Sequence, residues 1–267
     1  MITGAGQALA GRMINFCLLP GHSRGLLAAA VEPAQRFASP REELRAYLAE
    51  RAQEAGGSDL ITDWNAKPRH TPDEIEGFYR DTNAYLFDLT EWHAGKRYPY
   101  ADIIGDFAAK HGCRRLLDFG CGIGSDGLRL IERGFEVSFC DFPNASTEYL
   151  AWRLKQRGWK SRIFYAGEDE LPANDLTFAV DVIEHLVNAP KTIGDLASRA
   201  RAMVYHVPIT TQKRKYPMHF DVDRGALSRA MREQGFRRVR DFSFVRYPLA
   251  VAMFWEGPQF WLRGASR

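Results

Sequence analysis

From about residue 114 onward, short apolar runs alternate with longer stretches that are apolar on one side only. That alternation predicts buried strands joined by helices, the pattern of an α/β sheet. Leu116 and Leu117 close a first strand, and Asp118 sits where it gives way to a turn. A helix over 125–133 turns Leu128, Leu130 and Ile131 toward the sheet, and Gly134 stops it. A second strand over 135–140 ends beside Asp141, followed by a helix over 146–157 and a third strand over 162–165. DLTFAVDVIEHL opens on a fourth strand, a helix lies within 188–200, and 202–207 reads as a fifth strand. A helix over 223–234 is broken by Gly235, and two closing strands are expected near 237–244 and 250–255.

The N-terminal third reads differently. Ser39 caps a helix that begins with Pro40, carries Glu42 and Glu43 at its positive end and stops at Gly56 and Gly57. A loop holding Trp64, Pro68 and His70 follows, and Thr71 then caps one long helix running to residue 93. Phe78, Leu86, Leu89 and Trp92 give that helix its apolar side, and a further helix over 100–110 leads into the first strand. Residues 1–38 show little periodicity and suit an arm, with a homodimer contact as one use for it. The expected organisation is an arm and helical cap over 1–98 and a main domain over 99–267.

The chemistry concentrates at DFGCGIGSDG. Gly120, Gly122 and Gly124 fall at alternate positions between strand and helix, where backbone conformations closed to other residues leave room for a ligand. Asp141, at the end of the second strand, is placed to accept hydrogen bonds from a ribose diol. A dinucleotide fingerprint prefers G-x-G-x-x-G; here the frame is D-x-G-x-G-x-G, and the leading acid suits a cationic amino-acid end rather than a diphosphate. At these residues the chain resembles the class I S-adenosylmethionine-dependent methyltransferases, over roughly residues 78–256.

That resemblance implies a Rossmann-like methyltransferase sandwich: a mostly parallel seven-stranded sheet with an N-terminal helical extension and an antiparallel final strand beside the penultimate one. It implies S-adenosyl-L-methionine as cofactor, with Asp118, Gly120, Gly122 and Gly124 cradling the methionine portion and Asp141 holding the ribose. Glu168 and Asp169 would flank the adenine, and Val180 and Asp181 would line the pocket. The preceding helices would cover the cofactor, making Tyr79 a residue expected to touch ligand. The long connection over 208–221, with Lys213, Arg214, Lys215, Tyr216, His219 and Phe220, would lie as a lid over the acceptor side.

His185 and His219 are the base candidates, because imidazole accepts protons near neutrality; His206, at a strand end, suits a structural role better. Asp181, Glu184 and His185, with His219, form a polar group that could hold a divalent ion. Their spacing is not specific, and no metal is expected. DVIE stands where amino-methylating enzymes of DNA bases carry an asparagine-proline-proline-aromatic tetrad. The reading is therefore methyl transfer to oxygen or nitrogen of a small organic acceptor, extending to secondary metabolites. The runners-up are a catalytically silent methyltransferase-like partner protein and an NAD-dependent oxidoreductase.

Composition alters this picture little. The 267 residues carry a formal net charge of +3, but residues 199–267 hold 14 basic against 5 acidic side chains, so an anionic partner has to be considered. No aromatic-interleaved stripe accompanies that charge, which disfavours nucleic acid. The four cysteines lack metal-ligand spacing, and no apolar run is long enough to span a bilayer. The cytoplasm is the expected compartment.

Overall fold

Reciprocal caps launch the first helices. In the computed structural model, which describes residues 38–51, 59–94, 100–207, 217–239 and 258–264, the Ser39 hydroxyl accepts from the Glu42 amide and Glu42 accepts from the Ser39 amide, starting α1 (Pro40–Glu50). Asp59 caps α2 (Leu60–Asn65), and Thr71 with Glu74 repeats the reciprocal cap at α3 (Pro72–Asp81). Next come α4 (Ala84–Ala94) and α5 (Tyr100–Lys110). The alternating part runs β1 (Arg115–Phe119), α6 (Ser125–Glu132), β2 (Glu136–Asp141), α7 (Ala145–Gln156), β3 (Ile163–Tyr165) and β4 (Asn174–Ala179). A 3-10 turn (Ile183–His185), α8 (Ala189–Ser198), β5 (Ala200–Tyr205), α9 (Arg224–Glu233), β6 (Phe236–Val239) and β7 (Gln259–Arg263) complete it. All of these elements belong to the unit Phe37–Arg267.

The strands form one seven-stranded sheet in the order β3-β2-β1-β4-β5-β7-β6. β1 to β5 pair in parallel, and β7 runs antiparallel to both β5 and β6. Alternate residues of each strand feed opposite faces, as the pleat requires. Leu116, Phe178, Val204 and Phe260 join Ile104, Phe107, Leu128 and Leu150 on one side. Leu117, Ala179, Met203 and Trp261 join Ile193, Leu196, Leu227 and Met231 on the other. Strands buried on both faces need continuous apolar stretches, which is why the central strands were legible. No helix among the described residues is long and apolar enough to cross a membrane.

Two expectations change. The single helix over 72–93 is two helices, because Thr82 is extended (φ −75°, ψ 136°). Its hydroxyl donates to Asp63 Oδ2 at 2.7 Å and accepts from the Ala84 amide at 3.1 Å, satisfying backbone and side chain at the break. The loop at Trp64 contains α2, whose Leu60 and Trp64 pack with Ile75 and Phe78. The described closing strand is Gln259–Arg263; the strand expected at 250–255, the arm through residue 37 and lid residues 208–216 lie outside the described residues.

The cap is bolted to the sheet domain by buried charge. Glu43 of α1 accepts from Arg153 Nε at 2.9 Å and pairs with Arg157, all three side chains being 4–7% exposed. Arg153 Nη1 also donates to the Ile123 carbonyl at 2.7 Å and to Ser125 Oγ at 3.1 Å, so the same guanidinium holds the glycine turn. Around it Tyr47, Tyr149 and Trp152 pack edge to face and stacked.

Candidate active site

The turn between β1 and α6 needs glycine for two separate reasons. Gly122 sits at φ +50°, and a Cβ there would lie 2.5 Å from Leu89 Cδ1. Its amide donates to Asp141 Oδ2 at 2.7 Å, while Asp141 Oδ1 accepts from the Phe142 amide at 2.8 Å. The acid that ends β2 therefore clamps the turn that follows β1. Burial raises the Asp141 pKa and these two amides oppose the rise. Asp118 Oδ2 accepts from the Gly127 amide at 3.1 Å, tying the end of β1 to α6. Gly127 was not singled out in the sequence, yet a Cβ on it would fall 2.2 Å from Phe139 Cε1 and 2.9 Å from Asp118 Oδ2. The available signal was a glycine inside a helix, where it costs roughly 0.5–1 kcal/mol relative to alanine.

A cavity of about 690 Å³ opens beyond the carboxyl ends of β1, β2 and β4, where the strand order reverses and such folds bind ligands. Asp118, Gly120, Gly122, Asp141, Val180, Asp181, Tyr79, His185 and His219 all line it. Gly124 does not; it caps α6 at φ +73° and has no space for a Cβ against Leu150 Cδ1, 2.3 Å away. Glu168 is exposed in a turn, and Asp169 accepts from the Tyr165 amide at 2.8 Å and pairs with Arg162 at 3.5 Å. Neither lines the cavity. Tyr85, Trp92 and His93, aromatics of the helix that also carries Tyr79 in the sequence reading, line it too, and residues missed in the sequence add to the wall: Asp126 and Ser146, Phe142 and Asn144, and Asp88 and Leu89 of the cap. Asn144 Nδ2 donates to the Tyr79 carbonyl at 3.0 Å, joining cap and sheet domain at the cavity.

Charge is the cavity's most selective property. Seven carboxyl groups line it, those of Asp88, Glu91, Asp118, Asp126, Asp141, Asp181 and Glu184, of which burial favours the protonated form at Glu184, and no lysine or arginine does so among the described residues. Such a lining attracts a cationic ligand and repels a diphosphate. The basic excess of the C-terminal third is not on this wall among the described residues. Asp181 is held at φ +54°, a conformation non-glycine residues rarely take, and its Oδ1 lies 2.9 Å from Nδ1 of fully buried His206. His206 thus braces the Asp181 side chain from within the core.

At the other end, three segments converge. The 3-10 turn supplies Glu184 and His185, α3 supplies Tyr79, and the residues before α9 supply Met218 and His219. The Phe220 amide donates to the Glu184 carbonyl at 2.7 Å, fixing the third segment to the first. Tyr79 Oη donates to the Met218 carbonyl at 3.0 Å and lies 3.1 Å from His185 Nδ1. Its single proton is spent on Met218, so Nδ1 of His185 carries the hydrogen and Nε2 carries the lone pair. The His219 ring stands edge-on to His185 with centroids 4.6 Å apart. Burial, then the neighbouring His219, lowers His185 to about 3; burial, then Asp181, pushes Glu184 up to about 8. Burial also raises Tyr79. His185 is thus neutral across the physiological range.

No protein-family model matches the chain. A 53-residue stretch, 20% of this chain, is 47% identical to glycine N-methyltransferase of Oryctolagus cuniculus and 45% identical to that of Homo sapiens. The match spans only 17% of those relatives' length. The solved structure of an S-adenosylmethionine-dependent methyltransferase from Clostridium acetobutylicum aligns with a TM-score of 0.54 at 9% identity, covering 68% of this chain and 98% of that one.

Proposed function

The chain has the fold of the class I S-adenosylmethionine-dependent methyltransferases, and from that premise we propose that it transfers a methyl group from S-adenosyl-L-methionine to oxygen or nitrogen of a small organic acceptor. The observation that carries this reading is the continuous acidic cavity, running from the glycine turn and Asp141 to the cluster of Tyr79, His185 and His219. Gly120, Gly122 and Asp118 would hold the amino-acid end of the donor and Asp141 its ribose, while Val180 and Asp181 would wall the pocket between. This acidic lining suits a ligand bearing a sulfonium and an ammonium. When bound, the donor supplies an electrophilic methyl carbon, whose bond to sulfur breaks as the acceptor's lone pair forms the new one, leaving a neutral thioether.

The protein's own contribution is alignment and exclusion of water. Tyr79, Tyr85 and Leu89 close one wall from the cap, and His185 and His219 mark the acceptor end. A partial likeness to proteins named glycine N-methyltransferase agrees with methyl transfer generally and leaves the acceptor open. The lining disfavours nucleic acid as well as a dinucleotide, since both bring phosphate into a carboxylate-lined space. We place the enzyme in the cytoplasm, acting on secondary metabolites or comparable small molecules.

Calorimetric titration with S-adenosylhomocysteine, with NAD in parallel, tests this reading. Selective binding of the thioether, followed by transfer of labelled methyl to a small acceptor, is the expected result. Folded, cofactor-free protein that ignores the thioether would overturn it in favour of a silent partner protein. Selective NAD binding would overturn it in favour of an oxidoreductase.

A further inference from the structure

The acceptor end of the cavity holds two imidazoles and a carboxylate on a rigid mount. One ligating atom from each of Glu184, His185 and His219 lies within 4.8 Å of the other two. Ligands of a transition metal at about 2.0–2.2 Å stand roughly 3–3.5 Å from one another, so the side chains need to close by roughly 1–2 Å to share an ion. The backbone is already fixed, because the Phe220 amide is bonded to the Glu184 carbonyl.

Two further observations point to a cation there. Glu184 is 4% exposed, and its Oε2 is buried with no hydrogen-bond partner. A buried carboxylate oxygen left in that condition is costly unless a cation meets it, and no lysine or arginine among the described residues lines this cavity. The second observation concerns His185. Its Nδ1 hydrogen is taken up by Tyr79, itself anchored on the Met218 carbonyl. Metal-bound histidines nearly always donate their other ring N–H to such a partner, which fixes the tautomer and the ring orientation. Tyr79 thereby leaves the Nε2 lone pair as the available one.

We propose that Glu184, His185 and His219 bind a divalent transition-metal cation at the acceptor end of the cavity, and that the acceptor atom it serves is a hydroxyl oxygen. Two imidazoles and one carboxylate form a donor set for Zn²⁺, Mn²⁺, Fe²⁺ or Co²⁺, and three protein ligands leave coordination positions for a substrate oxygen. A hydroxyl seated on such an ion loses its proton near neutrality: the O–H bond breaks, the electron pair stays on oxygen, and the proton passes to bulk water. An amine needs no such help, since it is nucleophilic once neutral. His185 then serves as a ligand and not as the proton acceptor its sequence position suggests. The choice of acceptor rests on the methyl-transfer reading; the cation site does not.

The test uses the untagged full-length chain, stripped of metal with a chelator and titrated with Co²⁺ alone while visible absorption is followed. S-adenosylhomocysteine binding is measured in parallel on the same preparations. One Co²⁺ per chain is expected. Glu184→Gln and His219→Ala should each weaken it on the order of 100-fold or more, given that even a residue that only orients a ligand is worth about 10–100-fold. Tyr79→Phe should weaken it about tenfold. His219 is only partly buried, so His219→Ala remains informative where Glu184→Gln fails to fold. Absence of Co²⁺ binding in the unaltered chain, or equal binding by the chain and His219→Ala, would overturn the site. Co²⁺ binding without thioether binding would uphold the site and sink the methyl-transfer reading, and the reverse pattern would do the opposite.

Discussion

Glu43→Ala probes how the helical cap is fastened to the sheet domain. In the intact chain this carboxylate faces Arg153 and Arg157, whose side chains are 5% and 4% exposed. Burial draws Arg153 below the ordinary guanidinium pKa, and Glu43 is the main influence opposing that. Removing one member of a buried ion pair costs about 3–5 kcal/mol, because the charge left behind has neither water nor partner. In a chain of this size each kcal/mol moves the melting temperature by about 2–4 °C, so a fall of about 6–20 °C is expected by thermal melt. Arg41 and Glu91, also a close pair but half exposed or more, provide the control: Glu91→Ala should leave the melt where it was, since exposed pairs contribute little. Arg153 also grips the Ile123 carbonyl, so Glu43→Ala should weaken S-adenosylhomocysteine binding even well below the melt. A fall under about 3 °C, less than that expected for ~1–1.5 kcal/mol, would refute the view that this triad fastens the cap.

Three other substitutions separate geometry from chemistry. Gly127→Ala brings in the better helix former but drives a methyl into Phe139 and Asp118; overpacking should cost about 1–3 kcal/mol in a urea titration, and a gain in stability would contradict the packing. Asp141→Ala should weaken thioether binding about 10–100-fold, the equivalent of one hydrogen bond to a charged group, and unchanged affinity by calorimetry would end the ribose assignment. At Asp181, φ +54° favours glycine; Asp181→Gly should therefore be more stable than Asp181→Ala by about 1 kcal/mol, and the opposite order in urea unfolding would show that the backbone is not strained there.

The glycine turn was legible because its backbone geometry admits few residues, and Asp118 and Asp141 were legible because they stand at strand ends. What the sequence concealed depends on distant partners. Nothing local distinguishes Thr82 from a helical residue; the break exists because Asp63, 19 residues away, takes its hydroxyl. α2 is six residues long, too short for periodicity to speak. Glu168 and Asp169 follow β3 as the family resemblance expects, yet Asp169 turns back onto the Tyr165 amide. Gln259–Arg263, with a polar first residue and a charged last one, carries little strand signal, yet it pairs between β5 and β6. Charge misled as well. The basic C-terminal third suggested an anionic ligand, whereas carboxyl groups from six different elements and turns converge on one space, a coincidence visible only in three dimensions.

The insertion of β7 between β5 and β6 also governs the order in which the chain can fold. β5 pairs with Phe260 and Trp261 through Val204 and Met203, across more than fifty residues of intervening sequence. Until that late segment arrives, one side of β5 is an open edge carrying unpaired amides and carbonyls. Closing so long a loop is entropically slow, and a chain truncated before residue 259 would leave β5 with an adhesive margin. β6, whose partner in the sheet is β7 alone, docks only after that margin is sealed. The core sets stability, whereas the last strand to join sets the hazard of aggregation.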